Sequence, residues 1–140
     1  MKKFLPVILL FISIQLIAQS KNEAAIRLSL YEQIQCWNRG DIEGFMKTYW
    51  KNDSLMFIGK SGVTYGWENT LKNYRKSYPD TAAMGKLNFT ILDTKKLSAE
   101  YYQVIGKWYL QRTAGNLEGY FTLLFRKIKG KWLIIADHTS

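Results

Sequence analysis

The sequence predicts an α+β domain, with three helices in the first half and an antiparallel sheet in the second. Three observations carry this. The 140 residues correspond to one domain. Apolar side chains recur at helical spacing up to Tyr78. Beyond Gly85 they recur in strand-length runs separated by turn residues.

Residues 1–20 stand apart from the fold. Lys2 and Lys3 precede an apolar run from Phe4 to Ile17, and Ala18-Gln19-Ser20 offers the small residues that a signal peptidase accepts. The run is shorter than the ~20 residues a spanning helix needs. The expectation is therefore a cleaved export signal, a secreted or periplasmic mature chain 21–140 and no stable membrane anchor. Cleavage after Ala18 and cleavage after Ser20 both fit.

In residues 22–39, Ile26, Leu30, Ile34 and Trp37 form one apolar stripe, which predicts the first helix. Gly40 supplies its stop, and Asp41 is placed to cap a short second helix carrying Ile42, Phe45, Met46 and Tyr49 on one face. Asn52-Asp53 reads as a turn. Leu55–Ile58 and Val63–Tyr65 then read as two short strands joined through Gly59-Lys60-Ser61-Gly62. This Gly-Lys-Ser is not a phosphate-binding loop: the Gly required five positions earlier is Ser54, and no helix follows. Trp67, Leu71, Tyr74 and Tyr78 define the third helix, stopped by Pro79. Four strands follow, over 86–93, 101–112, 119–128 and 131–139.

The last three strands are apolar on both faces. Tyr102, Val104, Trp108 and Leu110 oppose Ile105 and Tyr109; Phe121, Leu123 and Phe125 oppose Tyr120, Leu124 and Ile128; Trp132 and Ile134 oppose Leu133 and Ile135. A sheet covered on one side alternates apolar with polar. Three short helices cannot cover both faces, so a homodimer through the sheet is expected.

Composition excludes several classes. Hydrophobic residues make up 47% of the chain and aromatic residues 15%, which rules out a disordered chain. One Cys and one His exclude a disulfide framework, a cysteine zinc site and a His-rich metal cluster, so no metal and no cofactor is expected. Cys36 reads as a small buried hydrophobe, with intermolecular pairing as the alternative. Without Lys2 and Lys3 the net charge is +7, which attracts anions. The cations are scattered and no basic helix accompanies them, so no nucleic-acid partner is expected.

The order helix, helix, two short strands, helix, four long strands resembles NTF2-like folds, in which a strongly curved, mostly antiparallel sheet wraps helices around a cone-shaped pocket. The words Trp37-Asn38-Arg39-Gly40-Asp41, Tyr49-Trp50 with Asp53, Phe57-Ile58, Gly66, Gly106-Lys107-Trp108, Gly119-Tyr120-Phe121-Thr122-Leu123 and Lys131-Trp132-Leu133-Ile134, ending in Asp137-His138-Thr139-Ser140, are similar to the DUF4440 and SnoaL-like branch. The superfamily holds isomerases, dehydratases, cyclases and members with no known activity, so the resemblance implies a fold more than a reaction. Matching Asp53-Ser54-Leu55 to the isomerases' Asp-Ala-Thr start places Ile58 where they carry an Asp base, and an isoleucine accepts no proton.

His138 is the candidate catalytic residue, since its pKa lies near neutrality. By alternation it shares a face with Trp132, Ile134 and Ala136; if that face is concave, the imidazole reaches the pocket as general base or hydrogen-bond donor. A histidine satisfied by Asp53 or a backbone group is the structural alternative. Asp137 points to the opposite face, with Arg112 or Arg126 as candidate partners. Tyr49, Trp67, Tyr74 and Trp108 are candidates for an aromatic ligand wall, with Asp53 and Arg112 at its mouth; each also fits a core or solvent role. The expected function is binding of a small, largely apolar molecule. The alternatives are a small isomerase, dehydratase or cyclase using His138, and a dimeric interaction module filled by its own aromatics.

Overall fold

A computed structural model describes the backbone of residues 5–140 and the side chains from Lys21 onward. The expected export signal, 1–20, therefore falls wholly outside the residues whose side chains are described. Among the described residues no helix is long and apolar enough to cross a membrane.

Helix α1 (Leu5–Asn38) buries Ile26, Leu30, Gln33 and Trp37, spaced four, three and four. It ends because Gly40 adopts φ +84°, and the Gly40 N–H bonds the Trp37 carbonyl at 2.9 Å. Asp41 caps α2 (Ile42–Met46) as expected, accepting from the Gly44 N–H at 2.7 Å. That bond holds the Asp41 carboxyl below its usual range. A hairpin of β1 (Met56–Gly59) and β2 (Gly62–Tyr65) leads into α3 (Trp67–Ser77). Three helices were expected here and the structure has four. The segment read as a loop before Gly85 holds one short turn of helix, α4 (Thr81–Met84), because Asp80 caps the Ala83 N–H at 2.8 Å.

The long strands β3 (Lys86–Lys96), β4 (Tyr101–Gln111), β5 (Leu117–Ile128) and β6 (Lys131–Thr139) fall within a few residues of expectation. The sheet order is β2-β1-β6-β5-β4-β3, antiparallel except where β1 runs parallel to β6. Its inner face carries Tyr102, Val104, Leu110, Phe121, Leu123 and Phe125, all buried against the helices. Gly106 sits on this face because the Phe121 ring fills its place, and an added Cβ would lie 2.8 Å from the Thr90 carbonyl oxygen. The outer face holds Ile105, Leu124, Leu133 and Ile135, all half-buried.

Two β-bulges re-aim side chains. In β3 the ladder with β4 slips between Ile91 and Asp93. In β6, Leu124 of β5 pairs Ala136 while Phe125 pairs Ile134, so Ile135 has no partner. The second slip decides which residue of β6 enters the interior.

Candidate functional site in the cone

Strand alternation carries Trp132 and Ile134 inward. Without a bulge, Ala136 and His138 would follow. The extra residue Ile135 reverses the phase, so Asp137 turns inward and is 4% exposed. His138 turns outward and is exposed, pairing Ile58 and Thr122 across the sheet. The expected position of His138 inside the cone is thus corrected. The two residues do lie on opposite faces, as read, but with inside and outside exchanged.

Backbone pairing brings Tyr49 to Asp137. The Ile134 N–H bonds the Thr48 carbonyl and the Trp50 N–H bonds the Ile134 carbonyl, both at 2.9 Å. This short parallel bridge lies on β6 beside the bulge, next to the stretch paired with β1. It sets the Tyr49 hydroxyl to donate to Asp137 Oδ2 at 2.6 Å. The expected partners Arg112 and Arg126 do not reach Asp137. The other oxygen, Oδ1, is buried without a hydrogen-bond partner.

Among the described residues no cation faces this carboxyl. Burial raises its pKa from 3.8 to about 7, against the opposing effect of the Tyr49 hydrogen bond. Burial, then the Asp137 charge, pushes the Tyr49 hydroxyl well above its usual 10. The same two causes act on the neighbouring Tyr74 hydroxyl. At neutral pH both phenols stay protonated while Asp137 is divided between acid and carboxylate. The result is a buried Tyr49–Asp137 pair with Tyr74 beside it, ending on an unused carboxyl oxygen.

Aromatic rings enclose these groups. Phe45 lies 5.9 Å from Tyr49 and 5.3 Å from Tyr74, and Phe57 lies 5.7 Å from Tyr74. Trp37 contacts Phe45, Tyr74 and Tyr78 edge-on. Two shallow, open surface hollows lie outside the cone. One of about 470 Å³ is lined by residues of β3–β5 such as Lys107 and Tyr120, and one of about 700 Å³ lies between β2 and α3. Among the described residues no group of three or more His, Cys, Asp and Glu side chains is placed to hold a metal ion.

The remaining candidates separate from this centre. Trp67 is buried and donates its indole N–H to the Met46 carbonyl at 2.8 Å, with the Lys51 ammonium 4.6 Å from its ring centre. Trp108 bonds the Ser140 carbonyl at 3.2 Å. It lies four residues along β4 from Val104, in the row of Asp137, which is about 13 Å. Arg112 bonds the carbonyls of Gly115 and Ala83 at 2.8 and 3.2 Å, tying a turn to α4. Burial raises the Tyr78 hydroxyl, and the Arg112 charge opposes that rise. Asp53 is exposed in a turn. Of the expected set, only Tyr49 and Tyr74 meet. No pattern in Leu133–Asp137 marks the bulge, so alternation alone named the wrong side chain as inward.

Comparison with solved structures agrees with the architecture. An NTF-2 like protein of unknown function from Shewanella oneidensis MR-1 is 41% identical, with 85% of this chain and 98% of that chain covered and a TM-score of 0.82. The chain belongs to the NTF2-like family. Two further NTF2-like neighbours share the fold alone. A ketosteroid isomerase-like protein from Erwinia carotovora atroseptica SCRI1043 has 19% identity, coverage of 84% and 93%, and a TM-score of 0.64. LinA has 16% identity, coverage of 89% and 88%, and a TM-score of 0.73. Neither the protein-family models nor the curated proteins yield a match to this NTF2-like chain.

Proposed function

We propose that this NTF2-like chain binds a small, largely apolar molecule inside its cone and holds one polar atom of it at Asp137 Oδ1. The observation that carries this is the unpaired Oδ1, buried among aromatic rings. An unsatisfied buried polar atom costs about 1–3 kcal/mol, and native proteins retain few of them. A ligand hydroxyl, amide or carbonyl would satisfy it, since Oδ1 accepts when ionised and donates when protonated. Rings of Phe45, Phe57 and Tyr74 would cover the apolar remainder; Phe57 and Tyr74 are half-buried and are the rings that must yield on entry. The enzymatic alternative passes from His138 to Asp137, whose pKa near 7 suits proton transfer at neutral pH. The DUF4440 or SnoaL-like affinity, and export directed by residues 1–20, rest on the sequence words alone.

A thermal-shift screen of apolar molecules bearing one hydroxyl or carbonyl tests the reading. The expected result is a dose-dependent rise in Tm. Asp137→Ala should weaken the same ligand at least tenfold, while the outer-face substitution His138→Gln leaves it unchanged. A library without effect, or full binding by the Asp137 variant, would overturn it.

The apolar outer face supports a second reading, association of two copies through the sheet. Ile105, Leu124, Leu133 and Ile135 make it apolar, and the half-buried Arg126 has an unpartnered Nε there. Sedimentation of chain 21–140 should give twice the chain mass, and Leu124→Lys should halve it. A wild-type monomer at micromolar concentration would refute the dimer.

A further inference from the structure

The larger surface hollow lies away from the cone and independent of the reading above. It runs between β2 and α3 and is bounded by Val63 and Tyr65 on the strand and by Asn69, Lys72, Asn73 and Lys76 on the helix. Those four helical positions are spaced three, one and three, so they form one exposed stripe. Val63 and Tyr65 are 51% and 60% exposed.

Two features of this groove lack an internal explanation. The first is its charge. Lys72 and Lys76 stand at i and i+4, where like charges destabilise a helix by about 0.2–0.5 kcal/mol. The nearby acids are engaged elsewhere: Glu68 faces Lys51 at 3.7 Å and Glu43 faces Arg75 at 3.1 Å. Among the described residues neither Lys72 nor Lys76 has an ion-pair partner. The second is the backbone. β2 closes the sheet and has β1 as its one neighbour, so alternate N–H and C=O groups of Gly62–Tyr65 face outward, and among the described residues the Tyr65 carbonyl alone of these is taken by a side chain. Asn69 Nδ2 takes the Tyr65 carbonyl at 3.0 Å, and Asn73 Nδ2 bonds the Thr64 hydroxyl at 3.1 Å. These two amides hold the helix stripe against the strand and shape the groove.

We infer that this groove receives an extended acidic peptide, which adds a strand to β2 and places its carboxylates on Lys72 and Lys76. Main-chain pairing at the sheet edge supplies affinity, the lysines select charge, and exposed Val63 and Tyr65 offer contact for apolar side chains on alternate positions. A sulfated polysaccharide would satisfy the lysines but has no strand backbone to pair with β2. The edge therefore favours the peptide.

Fluorescence polarisation with a labelled short peptide alternating glutamate and valine provides the test. The expected result is saturable binding that weakens with salt. The double variant Lys72→Gln, Lys76→Gln should weaken it at least tenfold while melting no lower than wild type, since it removes a like-charge pair. Methylating the peptide's backbone nitrogens should also weaken binding at least tenfold. No binding, equal binding of the methylated peptide, or tighter lysine-dependent binding of heparin than of the peptide would each overturn the inference. The cone reading is untouched by any of these outcomes, because Asp137 lies in neither the probe nor the variants.

Discussion

Asp137→Asn should reverse the order of stability between variant and wild type as pH rises. The folded-state pKa of Asp137 is raised from 3.8 to about 7, so between these values the folded chain binds more protons than the unfolded one. Stability then falls as pH rises through that window; it is intact below about pH 4 and fully diminished above about pH 7. A displacement of about three pKa units corresponds to about 4 kcal/mol. Asn cannot ionise, and its carbonyl can still accept from the Tyr49 hydroxyl. Its amide N–H₂ takes the position of the unpaired Oδ1, at a cost of about 1–2 kcal/mol at every pH. Wild type should therefore be the more stable by about 1 kcal/mol at pH 4, and the variant by about 2–3 kcal/mol at pH 8. Urea unfolding of both chains at several pH values reads this directly, and parallel pH profiles would contradict the buried, uncompensated carboxyl. Tyr49 and Tyr74, the titratable groups facing Asp137, remain protonated throughout and do not blur the window.

Trp37→Ala is expected to cost more than other single ring deletions in the cone. Trp37 is 3% exposed and meets the rings of Phe45, Tyr74 and Tyr78 at 5.1, 5.9 and 4.9 Å. Its indole N–H also donates to the Met84 carbonyl at 3.0 Å, joining α1 to the end of α4. Truncating a buried Trp costs about 3–5 kcal/mol, and the unpaired carbonyl adds about 1–3 kcal/mol. Against a total stability of about 5–15 kcal/mol, this removes roughly half of the margin. Trp37→Phe keeps most of the ring contacts and loses the N–H, so a loss of about 1–3 kcal/mol is expected. Denaturant midpoints for both variants check the pair. A loss under about 1 kcal/mol for Trp37→Ala would mean that the ring cluster is not what holds α1 to the sheet.

Most of the fold was legible because its elements obey local rules. The stripe Ile26, Leu30, Trp37, the stop at Gly40, the Asp41 cap, the break at Pro79 and the alternation of β4–β6 each depend on a few neighbouring residues. The structure places the elements where those residues put them. Helix α4 escaped because four residues carry no period, and a single Asp80 cap determines it. The candidate site was legible only in part. Tyr49 and Tyr74 belong to it, while Trp67, Trp108 and Arg112 spend their polar groups on backbone carbonyls that belong to distant or looping segments.

Local chemistry thus settles the helices, the strands, the surplus of positive charge and the two-faced apolar sheet, since each follows from side-chain spacing along the chain. The identity of the inward acid does not. One unpaired residue, Ile135, reverses the facing of everything after it in β6, and its presence depends on how β5, β1 and Thr48–Trp50 share the two edges of that strand. Pairing among segments separated by some ninety positions carries no imprint in the neighbours of Asp137. Only the closed sheet turns its carboxyl toward Tyr49 and leaves His138 outside.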